Sequence, residues 1–484
     1  MEPARLLPAS PVASLADYVA RGGGEGISAA RTVGAEVLIE ELEASGLRGR
    51  GGAGFPTGTK WRTVRVNRSD TLTATVVVNG AEGEPGTFKD RTILLTDPYQ
   101  VIEGALIAAR VVGADTVVIA LKASFRDVIV RVRSAIAEVV QAKWCDEIVI
   151  DVLEGPEEYL FGEETALLEV LAGRPPFPRI APPYRRGADD IDTGQDPEGE
   201  SGLPADLRLA GPDRSTPTPP ALIDNVETLA NVPWIVSRGA AWFRSVGTEK
   251  SPGTIVATVS GSTVRAGVGE VALGTPLGEV IEAIGGGARP GRRVVAVMSG
   301  VSSAVMGADA LTAPISYEGL AAAGGGLGSA GFLVLDDTDD LVAVAAGASR
   351  FLAVESCGQC TPCKRDGIAI SDELTELAAN KAQPAAMAKL ASLVATVADE
   401  ARCSLASQHQ AVVGSLMSRF PEAFSAHAEE RAEPAHPLLV AELQGIVEGA
   451  AVLDQAQATK QPDWSHDEQW DGVTPADQAA NLQT

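Results

Sequence analysis

Residues 46–61, GLRGRGGAGFPTGTKW, place six glycines among sixteen positions and close on a lysine and a tryptophan. Gly49, Gly51 and Gly54 satisfy the G-x-G-x-x-G spacing of a dinucleotide-binding turn, but that fingerprint must leave a strand and open a helix. Here the preceding residues 34–45, GAEVLIEELEAS, carry apolar side chains at helical spacing, and Phe55-Pro56-Thr57-Gly58 follows. A P-loop is excluded too, because Lys60 is followed by Trp61 instead of Ser or Thr and the glycine spacing differs. What remains is general chemistry: glycines expose backbone N–H groups to an anion, while Arg50 and Lys60 add charge for a phosphate or for the carbonyls of a flat ring.

Outward from this loop, the pattern alternates. A β-branched run at residues 74–78 opens into the Gly/Glu-rich turns of NGAEGEPGTFKDR. Helix-like DPYQVIEGALIAARVVGA, strand-like DTVVIAL, a long helical pattern through Val139 and strand-like EIVIDVL come next, which predicts an α/β domain with a mostly parallel sheet. Between Tyr184 and Asp224 the chain is rich in Pro, Gly and acid and reads as a long loop or insertion. From Gly253 to about Ile315, short β-patterned segments and one helical stretch, LGEVIEAI, predict a small β-rich second domain. From Leu341 to Phe424, Ala, Leu and Val recur at helical spacing, which predicts a helical bundle. In the acidic tail that follows, AHPLLVAELQGIVEGAAVL reads as an amphipathic helix.

At 484 residues the chain is long enough for two to four domains. Its composition is 45% hydrophobic with a mean hydropathy of +0.09, that of a globular protein. The 64 acidic residues against 39 Lys and Arg give a formal charge of −25, which disfavours nucleic acid and anionic membrane surfaces and favours a protein partner. No run approaches the ~20 apolar residues of a membrane span, and the N-terminus lacks a basic stretch followed by a long apolar one, so a cytoplasmic protein without direct membrane insertion is expected.

Four of the five cysteines lie in the C-terminal third. ESCGQCTPCKRDG sets Cys357, Cys360 and Cys363 at C-x-x-C-x-x-C, and Cys403 follows forty residues later. Three thiolates on one tight turn with a distant fourth is [4Fe-4S] spacing. A structural zinc on four cysteines is the alternative, although such sites usually pair two C-x-x-C knuckles. Cys145, in KWCDEI, reads as a buried thiol.

GLRGRGGAGFPTGTKW, NGAEGEPGTFKDR, YLFGEETALLEVLAGR, LIDNVETLANV and ESCGQCTPC, in this order, resemble the FMN- and NADH-binding flavoprotein subunit of respiratory complex I. The same module recurs in NAD-dependent formate dehydrogenases, NAD-reducing hydrogenases and electron-bifurcating enzymes. The resemblance covers roughly residues 15–425. It implies an α/β FMN domain with a Rossmann-like core over residues 1–240, a β-grasp domain over 241–335, a four-helix bundle with one [4Fe-4S] cluster over 336–425, and an acidic tail over 426–484.

By the same resemblance Gly49, Arg50, Gly51, Gly52 and Lys60 cradle FMN, with Asn79, Glu82 and Gly83 from the second motif. Gly162, Glu163, Asn225 and Thr228 complete the flavin site, with Glu164 beside them. Phe55 packs on the adenine of NAD(H), and Glu84 and Glu164 hold its ribose and nicotinamide end as the catalytic pair. Cys357, Cys360, Cys363 and Cys403 bind the cluster. Electrons then pass between NAD(H) as substrate, FMN and the cluster, and on to partners: a thioredoxin-like [2Fe-2S] subunit and an iron-sulfur or catalytic subunit of a larger complex. That complex is complex I or a formate dehydrogenase, hydrogenase or bifurcating assembly; an electron-transfer flavoprotein that has lost NADH binding is the alternative.

Departures from the family pattern cluster on the dinucleotide side. Ala81 replaces an acid, Ala181 and Tyr184 stand in a segment that is usually Lys-Pro-Pro-Phe, Thr63 replaces an aromatic, and Asp224-Asn225 replaces a double Asn. Lost cation and stacking contacts weaken a dinucleotide by a few kcal/mol, from ~1.5 to 3 for a charged hydrogen bond and ~0.5 to 1.5 for an aromatic pair. Tyr184 recovers part of that.

Overall fold

The β-branched run after the glycine loop becomes the centre of a parallel sheet. β1 (Ala74–Asn79), β2 (Ala114–Lys122), β3 (Val149–Gly155) and β4 (Ala221–Asn225) are all parallel, in the order β3-β2-β1-β4. Val76, Val77 and Val78 are fully buried, as a strand covered on both faces requires. The computed structural model describes residues 5–68, 73–179 and 220–462.

Helix Pro98–Val112 returns the chain from β1 to β2. Its start is fixed by Pro98 in the first turn and by the Asp97 carboxylate, which accepts from the Tyr99 and Gln100 N–H groups. Helix Arg126–Gln141 leads to β3, and the chain then crosses to the other side of β1 to add β4. The reversal places Asn79 opposite Asn225 at the carboxyl ends of β1 and β4, the crevice where open α/β sheets bind ligands. The Pro- and acid-rich stretch therefore ends before β4; residues 180–219, with Ala181 and Tyr184, lie outside the described residues. The glycine loop sits between two helices, Ala35–Ser45 and Thr57–Val66, at this same crevice.

A second, mixed sheet follows: β5 (Thr254–Gly261), β6 (Gly267–Ala272), β7 (Val294–Ser299), β8 (Met306–Gly307) and β9 (Gly331–Asp336), in the order β6-β5-β9-β7-β8. β5 and β9 pair in parallel and the other pairs are antiparallel. Helix Leu277–Gly285 buries Leu277, Val280 and Ile281 in the same core as Ile255, Ala257 and Val259 of β5. Helices Leu341–Val354, Thr361–Ala378, Ala386–Thr396, Leu405–Arg419 and Pro421–Ala428 then share a core of Phe351, Leu352, Leu374, Leu390, Leu416 and Phe424. No helix among the described residues is long and apolar enough to cross a membrane.

The helix expected within residues 435–453 is not there. β10 (Leu443–Val447) and β11 (Ala450–Leu453) form an antiparallel hairpin instead. Glu448 and Gly449 both have positive φ, 51° and 79°, the two-residue turn whose twist matches paired strands, while Pro434, Pro437 and Gly445 stop a helix upstream. This segment is a strap rather than a free tail. Leu438 N–H donates to Ala343 O so close to Gly347 that a Cβ there would stand 1.9 Å from Leu438 O. Lys122 donates to Glu442, Arg91 Nη1 to Leu443 O at 2.5 Å, and Ala266 N–H to Gly449 O at 2.6 Å. Gln457 and Lys460 both reach Glu355, two residues before Cys357.

Candidate functional site

The glycine loop is closed at its base by Gly49 N–H to Phe55 O (2.8 Å) and Thr57 N–H to Leu47 O (2.9 Å). Gly52 and Gly54 take φ of 122° and 65°, which side chains with a Cβ rarely adopt. Gly51 faces Asn225, whose Cβ would lie 3.4 Å from a Cβ on the glycine. Tyr317 of the second unit donates to Gly49 O at 2.7 Å, under the Arg48 guanidinium, which lies 3.9 Å from its ring centroid. Phe55 projects from the loop with 47% exposure. Helix Thr57–Val66, entered straight from the loop, has no side-chain cap, and the Thr57 hydroxyl is buried without a hydrogen-bond partner among the described residues.

Arg50 belongs to the interior. It is 1% exposed, and its guanidinium donates to Arg48 O, Pro252 O and Thr254 O, so only its backbone stays on the loop, bonded N–H to Thr228 Oγ1 at 2.8 Å. Beneath it lies a buried ionic network that the motif reading missed. Glu227 stands 3.8 Å from Arg50 Nε and 2.9 Å from Lys89 Nζ, and it accepts Val256 N–H of β5 at 2.9 Å. Lys89 also donates to Asp90 (2.7 Å) and Asn225 Oδ1 (3.2 Å), and Asn225 Nδ2 donates to Asp90 Oδ2 (2.7 Å). Burial pushes Asp90 up to about 6 despite Lys89. Burial alone would lower the Lys89 ammonium, but Asp90 and Glu227 more than offset it and hold it above its ordinary value.

Around the crevice, Asn79 Nδ2 donates to Gly162 O (2.9 Å) and Asn79 Oδ1 accepts from Ala81 N–H (3.2 Å). Lys60 donates to Glu164 Oε1 at 2.6 Å and to Ile223 O, and lies 3.8 Å from Asp224 Oδ1. Buried Trp61 donates its Nε1–H to Asp224 Oδ2 at 2.7 Å. Burial raises Asp224 to about 6, against Lys60 and Trp61.

Two of the expected flavin residues also hold helix starts. Glu82 accepts the Lys89 and Asp90 N–H groups (2.8 and 3.1 Å) and Arg91 Nε (2.9 Å), fixing the start of helix Lys89–Thr96. Glu163 caps helix Glu164–Leu171 through the Thr165 and Ala166 N–H groups, 3.0 and 2.8 Å away. A Cβ on Gly83 would stand 2.9 Å from Lys122 Nζ and 3.0 Å from Glu442 Oε1, the ends of two long side chains.

Glu84 bridges units. Its carboxylate accepts Tyr159 OH at 2.5 Å and Val301 N–H at 2.6 Å, and burial lifts it to about 7. Tyr159, Lys89 and Glu227 were not singled out from the sequence, although all three lie inside the quoted motifs.

Cys357, Cys360, Cys363 and Cys403 line one cavity with Leu160, Pro178, Leu405 and Ala406. Cys360 immediately precedes helix Thr361–Ala378, and Cys403 immediately precedes Ser404 and helix Leu405–Arg419. Burial pushes the Cys357 and Cys363 thiols up, and Cys403 up to about 12, so metal binding must displace their protons. Among the described residues no three His, Cys, Asp or Glu are arranged to hold a single metal ion. Four thiols lining one shared space are the donor set of a [4Fe-4S] cluster. Cys145 packs into the core of the parallel-sheet unit.

Residues 42–234 match the Nuo51 FMN-binding domain, and residues 343–427 match the NADH-ubiquinone oxidoreductase-F iron-sulfur binding region. One of the NADH-quinone oxidoreductase F subunits of Rhizobium meliloti is 36% identical over 409 residues, 82% of this chain and 90% of that protein. The NADP-reducing hydrogenase subunit HndC of Solidesulfovibrio fructosivorans is 33% identical over 432 residues, 87% of this chain and 82% of its own. Among solved structures, NAD+-reducing [NiFe]-hydrogenase in the H2-reduced state superposes with a TM-score of 0.69 at 31% identity, covering 81% of this chain and 62% of that one. This chain thus spans less than two thirds of that hydrogenase chain. The four-thiol cavity, the glycine loop at the strand crevice and these matches agree: the chain belongs to the family of NADH-quinone oxidoreductase F subunits, with its FMN-binding domain and its iron-sulfur binding region.

Proposed function

We propose that this chain passes electrons between NAD(H) and a [4Fe-4S] cluster by way of FMN, as one subunit of a multi-subunit redox complex. The observation that carries it is the turn Tyr159–Gly162 and the residues just after it. Leu160 lines the thiol cavity, Gly162 O accepts from Asn79, and Glu164 pairs with Lys60. The crevice and the cavity are therefore joined by four residues of chain, at most ~14 Å between Cα atoms. Bound FMN would take two electrons as a hydride and release them singly to the cluster.

The residues fit a phosphate-bearing flavin. The loop at Gly49, Gly51 and Gly52 leaves backbone close to the crevice, the uncapped helix start with its orphaned Thr57 hydroxyl offers donors to a phosphate, and Lys60, Asn79 and Asn225 converge beside it. Gly83, Gly162 and Thr228 shape the walls, and Arg50, Glu82 and Glu163 act from behind, by holding the loop and the two helix starts. Phe55 presents its ring to the dinucleotide, while Glu84 and Glu164 orient its ribose and nicotinamide end. Cys357, Cys360, Cys363 and Cys403 ligate the cluster.

On this reading residues 1–240 are an FMN domain with a Rossmann-like core. Residues 241–335 are a β-grasp domain, and 336–425 a four-helix bundle. A thioredoxin-like [2Fe-2S] subunit and an iron-sulfur or catalytic subunit receive the electrons; the relatives' names, all of them subunits, support such partners. Any attachment to the inner face of a membrane runs through those subunits.

Anaerobic addition of NADH to the purified holoprotein should bleach the flavin absorbance. Bleaching by dithionite but not by millimolar NADH would remove the dinucleotide from the reading. Cys360→Ser should abolish the cluster's EPR signal and leave hydride transfer largely intact; full iron content and partner reduction in that variant would overturn the ligand assignment.

A further inference from the structure

The wall of the thiol cavity is mostly apolar, with Leu160, Pro178, Ala401, Leu405 and Ala406, but one edge is polar. Gln359, between the first two cysteines, donates its side-chain N–H groups to Pro178 O at 3.1 Å and to Cys357 Sγ at 3.3 Å. Its Oε1 accepts from Arg402 Nη1 at 2.8 Å. Arg402 immediately precedes Cys403 and is solvent-exposed. The contact thus ties the segment bearing three cysteines to the segment bearing the fourth. Gln359 is anchored by Pro178 of the parallel-sheet unit, so its orientation is set from three sides.

Reducing a [4Fe-4S] cluster on four thiolates adds one electron and no proton, so the cluster and its ligands gain one negative charge. An N–H donated to a ligand sulfur and a cation beside the cluster both favour the reduced form. An amide whose oxygen is held by a guanidinium is polarised, and its N–H becomes a stronger donor.

We propose that Arg402 and Gln359 act as one relay that raises the reduction potential of the cluster. Gln359 delivers the hydrogen bond to Cys357 Sγ, and Arg402 supplies the charge that strengthens it. This rests on the cluster reading above. Both are positioning residues for the cluster and neither is a ligand.

The test is an EPR-monitored redox titration of the full-length holoprotein, with iron content measured alongside, for Gln359→Leu, Arg402→Gln, Arg402→Lys and the Gln359→Leu/Arg402→Gln pair. Gln359→Leu should disfavour reduction about tenfold, read as a midpoint lowered by about 59 mV for one electron. Arg402→Gln should lower it less, Arg402→Lys should recover part of that loss, and the pair should match Gln359→Leu alone. A native midpoint in Gln359→Leu at full iron content overturns the relay, as do fully additive shifts, which would mean that Arg402 acts without Gln359. If Gln359→Leu fails to load iron, Arg402→Gln decides, since its exposed side chain leaves every ligand and Gln359 in place; an unchanged midpoint there refutes the proposal. A native protein that carries no [4Fe-4S] signal when iron-loaded overturns the cluster reading itself, and the relay falls with it.

Discussion

Asp224→Asn removes a buried charge at the crevice while keeping its shape. Asp224 is 5% exposed; Oδ2 accepts from Trp61 Nε1 at 2.7 Å and Oδ1 lies 3.8 Å from Lys60 Nζ. Burial raises its pKa from 3.8 to about 6, more than Lys60 and Trp61 lower it. The folded protein therefore holds this proton more tightly than the unfolded chain does. The stabilisation is fully present below the unfolded value of 3.8 and is lost as pH rises through about 6. Two pKa units correspond to roughly 3 kcal/mol. The asparagine still accepts from Trp61 and has nothing to ionise. Its advantage over the native protein should thus be near zero at the lowest pH, about half developed at pH 5, and about 3 kcal/mol above pH 7. Release of bound flavin during urea unfolding, followed at pH 5 and pH 7.5, reads the difference. A gain that does not change with pH, or a loss at pH 7.5, would refute the reasoning, because either would mean that ionised Asp224 costs the fold nothing.

Glu227→Gln should destabilise the flavin unit by about 3 kcal/mol, since it leaves Lys89 and Arg50 buried with too little negative charge; a loss below about 1 kcal/mol in denaturant titration would count against the network. Gly347→Ala puts a methyl group 1.9 Å from Leu438 O and should loosen residues 432–462. Hydrogen–deuterium exchange should then rise there and stay unchanged at β1 and β2; an unaltered strap would show that the backbone adjusts. Removing the cluster with a chelator should leave flavin reduction by NADH in place, read by absorbance, while electron delivery to a one-electron protein acceptor stops. Continued delivery would place the exit elsewhere.

Local spacing carried most of what could be read in advance. The β-branched run at residues 74–78, the helix before the glycine loop and the cysteine spacing are each set by a few adjacent residues, and the parallel sheet and the four-thiol cavity followed from them. Long-range pairing was invisible. Nothing near Lys89 announces Glu227, and nothing in the loop announces that the Pro252 and Thr254 carbonyls and Glu227 draw the Arg50 guanidinium inward. The resemblance gives Glu82 and Glu163 as flavin residues, and only the fold shows that each also stands where a helix start needs an acceptor. The stretch of β10 and β11 carries a helical pattern, with Leu439, Val440, Leu443, Ile446, Val447 and Ala450 at three- and four-residue spacing. Tertiary partners and the Glu448-Gly449 turn decided otherwise.

The strap's partners precede it in the chain by long intervals: Lys122 and Glu442 are 320 residues apart, Arg91 and Leu443 are 352, and Glu355 and Lys460 are 105. Contacts of such high sequence separation carry a loop-closure cost that the packing of the strap has to offset. A stretch made after both cofactor regions is consequently the one that binds Arg91, which fixes Glu82, and Glu355, which adjoins the cysteines. The two cofactor regions are also joined without it, through Leu160 in the helical core, Glu84 with Tyr159 and Val301, and Gln359 on Pro178 O, so the strap closes a ring of contacts around both.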